Sequence, residues 1–270
     1  MNIIDLDDAH LDIFLYCLED WYPDVKESRA HKAAWVEHMK DKGLRVKLAV
    51  EGDKTLGMIQ YVPVEHAFAE GRDAYFIHCI WVHGHKQGIG DQRKKGIGKA
   101  LLKAAEEDAA ARGAKGMAAW GISLPIWMKA SWFKKQGYAK VDKQSIQVLM
   151  WKPFAPGAVV PKWIKQKKSP DLKEGVITVT AFTNGWCPNM NVIYDRAKRA
   201  SAEFGHKVEF RGVSTLERGA FEEWGIADAL FIDGKEIRTG PPPSYEKIRA
   251  KIAKCVRKLP SEKGMREVQG

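Results

Sequence analysis

Apolar and polar positions along this chain change their spacing several times, and each change marks an element. Residues 2–6 read as an opening strand, followed by helical stretches at 9–21 and 25–42. Residues 45–50 and 56–62 are β-rich runs on either side of Gly52-Asp53, which predicts a hairpin. Residues 75–82 are apolar almost without a break, as expected of a buried strand. Alternation along it places His78 and Ile80 on one face, with Cys79 and Trp81 on the other. Beyond it the period lengthens: Ile97, Leu101, Ala105 and Ala109 share one face of a helix over 97–112 that Gly113 stops. Residues 115–121 form another short apolar strand. Pro125 is placed to open a helix running through Phe133, with Gly137 as its breaker, and 138–141 and 145–151 read as closing strands.

Regular spacing is lost between Phe154 and Gly175. Pro153, Pro156, Pro161 and Pro170 break the chain there, and Lys162, Lys165, Lys167 and Lys168 keep it solvated, so a surface linker is expected. Trp163 and Ile164 are expected to pin that linker against a domain. A second pattern then begins with a β-rich run at 176–182. Val192, Ile193, Ala197, Ala200 and Phe204 face a core from the helix that follows. A strand at 207–213, a helix at 216–224 and a hairpin about Asp233-Gly234 come next, and Ser244 caps a last helix along Ile248, Ile252 and Val256. Its order is βαβαββα.

Candidate chemistry concentrates between the central strand and the Ile97 helix, in Arg93-Lys94-Lys95-Gly96-Ile97-Gly98 followed by Lys99. Glycines there let the backbone approach a ligand closely, and the helix start adds unpaired amides and the positive end of its dipole. Such a loop is suited to a pyrophosphate. A triphosphate loop of Walker type requires glycine at position 93, which is Arg. A dinucleotide G-x-G-x-x-G fails as well, since Gly88 and Gly90 lead to Arg93, while Gly96 and Gly98 lead to Leu101. The pattern left is R-x-x-G-x-G after a strand.

In that pattern and its flanks the chain resembles the GNAT superfamily, the GCN5-related N-acetyltransferases, whose Q/R-x-x-G-x-G/A loop holds the pyrophosphate of acetyl-CoA. The resemblance implies an α/β (α+β) mixed sheet with flanking helices over residues 1–154, and acetyl-CoA as cosubstrate. It implies that the backbone of Ile80, Trp81 and Val82 pairs with the pantetheine arm. Arg93, Lys94, Lys95, Gly96, Ile97, Gly98 and Lys99 would grip the pyrophosphate. Direct transfer to an amine needs a base and an acid. His78, His83 and His85 lie on or just past the central strand, and His83 is the preferred base. The phenol that the family often places in Y-x-x-x-G-F is absent, because the stretch here runs from Phe133 to Tyr138. Ser131, Ser123 or a bound water stand as substitutes, with Ser131 carried forward as the candidate acid.

The second pattern, with Trp186-Cys187-Pro188 after its first strand, resembles a thioredoxin-like domain, and the combination resembles the YoaP-like acetyltransferases. The implied division is 1–154, a linker at 155–175, a thioredoxin-like domain at 176–260 and a tail at 261–270. Met190 stands where a resolving cysteine would be, which argues against disulfide reduction. Asp228 replaces the usual cis-proline facing the cysteine. Cys187, at a helix start, remains a candidate thiol site with Asp228 beside it.

Composition sets limits on these readings. With 270 residues and 45% hydrophobic content, two domains with real cores are expected. The formal charge of +10 suits a polyanionic cosubstrate, while nucleic acid lacks any reader motif. Cys17, Cys79, Cys187 and Cys255 show neither metal-ligand nor disulfide spacing, so no metal is expected and a reducing cytoplasm is the natural setting. No apolar run is long enough to span a bilayer, and the opening residues lack a signal pattern. The expected activity is acetyl transfer to a small-molecule amine acceptor, with a homodimer left open. The alternative is a CoA-sensing or soft-metal-binding thiol module centred on Cys187.

Overall fold

Met1–Lys165 and Gln166–Gly270 form two units in the structure, a computed structural model that describes residues 1–124, 127–237 and 242–260. The first unit runs β1 (Asn2–Asp5), α1 (Leu11–Leu15), α2 (Pro23–Glu27), α3 (Arg29–Lys40), β2 (Arg45–Glu51) and β3 (Lys54–Pro63). It continues with β4 (Ala69–Glu70), β5 (Ala74–Val82), α4 (Ile97–Ala111), β6 (Gly116–Ile122) and α5 (Ala130–Lys135). β7 (Ala139–Gln144), β8 (Gln147–Pro153) and β9 (Lys162–Trp163) complete it. Seven strands make one sheet in the order β1-β2-β3-β5-β6-β8-β7. Every neighbouring pair in it is antiparallel except β5 and β6, which run parallel. A parallel pair needs a crossover, and α4 supplies it. Ile97, Leu101, Leu102, Ala105 and Ala109 form the buried stripe by which α4 packs on β2, β3 and β5.

Charge fixes the far end of that crossover. Asp108, on the last turns of α4, accepts from Tyr61 Oη at 2.7 Å, Arg112 Nε at 3.1 Å and Arg45 Nε at 3.2 Å. Arg45 and Lys47 also donate to Asp5, at 2.9 and 2.8 Å, so β1, β2, β3 and α4 meet in one network. Burial alone would raise the Asp108 carboxyl. The hydrogen bonds from Tyr61, Arg112 and Arg45 outweigh it and hold the group below the ordinary carboxylate range.

Several expected elements are redrawn. The stretch at 9–21 is helical only over Leu11–Leu15, after a 3-10 turn, because Cys17 and Leu18 adopt left-handed backbone and end it. The helix expected over 25–42 is broken at Ser28 into α2 and α3, and the buried Ser28 hydroxyl donates to the Val25 carbonyl at the break. Pro125 lies outside the described residues. The helix expected to start there begins only at Ala130, since Met128 has left-handed backbone and its carbonyl accepts from Ile122 N at 2.7 Å. Trp163 and Ile164 are buried in the first unit, where β9 pairs with β4.

In the second unit, β10 (Ile177–Thr183) leads through α6 (Pro188–Ala202) to β11 (Val208–Ser214) and α7 (Arg218–Trp224). β12 (Ala229–Ile232), β13 (Lys235–Glu236) and α8 (Tyr245–Val256) follow. The sheet order is β11-β10-β12-β13, with β10 parallel to β11 and antiparallel to β12. Ile177, Val179 and Ala181 pack with Ile193 and Ala197 of α6 and Ile248 and Ile252 of α8. Phe182, on the other face of β10, packs with Ile226 and Phe231. Ser244 Oγ caps α8 by accepting from Lys247 N. The expected tail at 261–270 lies outside the described residues, and no helix among those described is long and apolar enough to cross a membrane.

Asp108→Ala is expected to lower stability by about 2 kcal/mol, the scale of hydrogen bonds to a charged group. Its carboxyl is depressed on folding, so its contribution is present at neutral pH and is lost below about pH 4. Denaturant unfolding at pH 7 and pH 3 should show a deficit that shrinks in acid.

Candidate functional site

β5 and β6 pair from Ala74↔Gly116 to Ile77↔Ala119 and then part, although both strands continue. β5 keeps its partner β3 as far as Val82↔Gly57, and β6 keeps β8 as far as Ile122↔Gln147. The facing edges, residues 78–82 and 120–122, therefore open as a wedge. Its cause is local. Gln60 pairs with Cys79 while Tyr61 pairs with Ile77, leaving His78 as an extra residue, a β-bulge that bends the strand. At the fork, Trp120 Nε1 donates to the His78 carbonyl at 2.7 Å.

The bulge also overturns the expected alternation. The ring of Tyr75 lies edge-on to Tyr61, whose hydroxyl reaches Asp108 on α4, whereas His78 packs against Trp35 of α3, at 5.6 Å between centroids. Val82 lies on the α4 side again, 3.7 Å from where a Cβ on Gly98 would stand. His78 and Val82 are thus on opposite faces despite their even spacing. Burial among Trp35, Phe68 and Phe76 pushes the His78 pKa down to about 3, which keeps the ring neutral. Ile80, Trp81 and Val82, each half-buried, form the open edge beyond the bulge.

At the mouth of the wedge the chain passes through residues 83–96 into α4. Gly96 caps the helix with φ +81°, a left-handed conformation that a side chain would strain. No hydrogen bond among the described residues takes up the amides of 94–99, which leaves them as donors at a helix start. The side chains around them are partly engaged with each other. Arg93 donates to Asp91 through Nε and Nη2, at 2.9 and 2.6 Å, and Lys95 Nζ donates to Gln92 at 2.9 Å. Arg93 holds the Asp91 carboxyl far below the usual range. A Cβ at Gly98 would meet Trp132 and Val82 at 3.6 and 3.7 Å, ordinary contact distances.

His83 braces this loop. Its Nδ1 donates to the Gly90 carbonyl at 2.8 Å, and its own carbonyl accepts from Gln92 N at 2.8 Å. Nε2 then carries a lone pair, but it is buried and the ring lies edge-on to Trp21, at 4.7 Å. Burial pushes its pKa down. His85, two residues on, has a half-exposed side chain and places Nε2 3.2 Å from Glu19 Oε1. Glu19 is 13% exposed, and burial pushes its carboxyl up against the opposing effect of His85. Trp81 and Trp21 stand beside His85, at 5.9 and 5.7 Å. Sequence reading missed Glu19, because 66 residues separate it from His85 and no spacing announces it.

Ser131 is placed elsewhere. With Ser123, Lys134, Tyr138 and Met150 it lines a cavity of about 390 Å³ to which neither β5 nor the loop contributes. Trp132, its neighbour on α5, is the residue facing Gly98. Tyr138, the phenol nearest to the missing one, is buried against Phe133, with its pKa pushed well above 10 by burial and then by Glu106.

In the second unit Cys187 is the N-cap residue of α6 and is buried. Asp228 accepts from Asn184 N and from Trp186 Nε1, both at 2.9 Å, and so anchors the segment leading to Cys187. Asn184 Nδ2 reaches the Thr215 carbonyl at 2.6 Å, and Asn191 Nδ2 the Gly185 carbonyl at 3.0 Å. Burial pushes the Asp228 carboxyl up to about 6, and its two hydrogen bonds oppose that rise.

The first unit is therefore a mixed sheet forked at its parallel junction, with a glycine-bearing basic loop at the mouth of the fork. Residues 11–125 match the family model described as the Acetyltransferase (GNAT) family. No curated protein matches the chain. Among solved structures, aminoglycoside 6'-acetyltransferase type Ii is 19% identical, covering 58% of this chain and 99% of that one, with a TM-score of 0.44. The aminoglycoside 6'-N-acetyltransferase from Enterococcus faecium is 19% identical over 58% of this chain and 98% of that one, at 0.43. PaiA N-acetyltransferase from Thermoplasma acidophilum, solved in complex with coenzyme A, is 15% identical over 57% and 100%, also at 0.43.

The raised carboxyl of the half-buried Asp228 makes the second unit sensitive to pH. Its pKa is raised on folding to about 6, so its contribution to stability is full below the ordinary value of ~3.9 and is lost as pH rises through about 6. The stability of the native protein relative to Asp228→Asn should fall by roughly 2–3 kcal/mol between pH 4 and pH 8, read from denaturant unfolding.

Proposed function

We propose that the first unit is an acetyl-CoA-dependent N-acetyltransferase acting on a small-molecule amine. The observation that carries this reading is the wedge between β5 and β6 with the loop and α4 N-terminus at its mouth. The family match over residues 11–125 supports it. The residues present fit the cosubstrate. The edge of Ile80, Trp81 and Val82 offers backbone groups to an extended amide chain, in the manner of an added strand. Arg93, Lys94, Lys95 and Lys99 supply charge, while the amides of Gly96, Ile97 and Gly98 supply directed donors. Acetyl-CoA, when bound, supplies an acetyl group activated as a thioester.

Proton transfer is the part that belongs to this chain's own side chains. An amine arrives as an ammonium and must lose a proton before it attacks. His83 and Ser131, the candidates from sequence, are held in a loop brace and in a separate cavity, so we assign the acceptor of that proton to the Glu19–His85 pair. His85 is accessible, and Glu19 beside it stabilises the imidazolium that forms. Burial of Glu19 pushes its carboxyl above the ordinary glutamate range, against the opposing effect of His85. The expected sequence is direct attack without an acyl-enzyme, in a cytoplasmic setting.

For the second unit the reading is a thioredoxin-like domain, supported by the βαβαββα order and by the parallel β10–β11 pair beside the antiparallel β12. Cys187 at the start of α6 is its proposed thiol site. Asp228 acts there by fixing Asn184 and Trp186.

Gly98→Val leaves room for the fold, since a Cβ makes only ordinary contacts, but it intrudes where the ligand approaches. Calorimetric titration should show acetyl-CoA affinity weakened at least tenfold, ~1.4 kcal/mol or more, with an unchanged circular dichroism spectrum. Unaltered affinity would mean the loop is misassigned. Glu19→Gln is expected to lower kcat/KM for a reactive amine by roughly 10²-fold or more, the range for general bases. The acid limb of the native pH profile should lie above ~4.3, the ordinary glutamate value, and should move in the variant.

A further inference from the structure

Lys32, on α3, has no exposed surface at all. A buried ammonium is ordinarily matched by a carboxylate. Here Nζ donates to the Phe14 carbonyl at 2.7 Å, lies 3.9 Å from the centre of the Phe14 ring, and meets Cys17 Sγ at 2.8 Å. That last distance is shorter than the usual N–H···O separation of about 2.9–3.0 Å, although sulfur is the larger atom.

The backbone around the thiol is unusual as well. Cys17 and Leu18 have φ +50° and +65°, left-handed values that cost a non-glycine residue energy. Cys17 N donates to Phe14 O and Leu18 N to Ile13 O, each at 2.9 Å, which closes α1 in this strained form. Leu18 is buried, so its packing maintains the strain. Cys17 itself keeps partial exposure, giving a small oxidant a way in that Lys32 lacks.

We propose that Cys17 and Lys32 are a redox modification site that closes into an Nζ–O–Sγ cross-link under hydrogen peroxide. An oxygen bonded to both atoms, with ordinary single bonds and a bent angle, spans the gap already present. A direct sulfur–nitrogen bond would require the two atoms to close much of it. In the first step the sulfur attacks peroxide, the S–O bond forms, the O–O bond breaks, and one water leaves as Cys17 becomes a sulfenic acid. In the second step another peroxide takes up two electrons while the N–O bond forms between neutral Lys32 amine and the sulfenic oxygen. The sulfenic proton and one amine proton leave with the peroxide oxygens as two waters. The additional proton of the Lys32 ammonium is carried away by the water released in the first step. Excess dithiol reverses both steps, restoring thiol and amine and releasing the bridging oxygen as water.

The environment favours this product over rapid over-oxidation. Burial pushes the Cys17 thiol up, with the Glu19 charge adding to that rise, while the Lys32 ammonium opposes both. The thiolate fraction is therefore small and oxidation slow. Once formed, the sulfenic acid has the Lys32 nitrogen as its nearest partner. The bridge joins the end of α1 to α3 and fixes the segment that carries Glu19 and Trp21.

The test uses the full chain exposed to hydrogen peroxide, then digested without reductant and analysed by mass spectrometry. A linked pair of peptides containing Cys17 and Lys32, heavier by one oxygen and lighter by two hydrogens, is expected, and dithiothreitol should abolish it. The melting temperature should rise on oxidation and return on reduction. Cys17→Ser, close to isosteric, should show neither the linked peptide nor the shift. Recovery of Cys17 only as free thiol, sulfinic or sulfonic acid would overturn the proposal. A linked pair lacking the extra oxygen, or a link from Cys17 to a different lysine, would overturn it equally.

Discussion

Two strands that run side by side for four residue pairs and then part impose most of the geometry of the first unit. Had β5 and β6 stayed paired to their ends, the sheet would be continuous and the edge of Ile80, Trp81 and Val82 would be consumed. The bulge at His78 prevents this by adding one residue to β5 without a counterpart on β3. Trp120 then ties the two strands together where they diverge, so the opening has a fixed apex. His78 meets the cost of this arrangement by staying uncharged within an aromatic cage.

The same divergence decides where the loop stands. Because α4 must carry the chain from β5 across to β6, its N-terminus falls at the open end of the wedge and its C-terminal turns over β2 and β3. Asp108 anchors the latter to Arg45, Tyr61 and Arg112. The helix is thereby held at the end remote from its uncommitted amides.

Much of this was legible in the sequence. The order of strands and helices, the basic glycine loop and the α4 stripe follow from periods and turn residues that act locally. The βαβαββα order of the second half follows from the same signals. The bulge was not legible, since 75–82 is apolar on both faces and an inserted residue leaves no gap in such a run. Nor was the break after Leu15, which depends on two non-glycine residues held left-handed by packing. Glu19 and His85 come together only through the placement of a whole segment. The place of Ser131 was not legible for a related reason: α5 begins later than Pro125 suggested, and Trp132 takes the position facing α4.

The parallel junction also divides the sheet into two sets of strands, each assembled from antiparallel neighbours: β1, β2, β3 and β5 on one side, β6, β8 and β7 on the other. The junction between them is parallel, so its two strands can pair only through the crossover that α4 provides. It is the seam of the domain. A molecule lying in the wedge would touch both sets at once, so its occupancy would act as a cross-brace, protecting amides on either side from exchange and raising cooperativity through mass action.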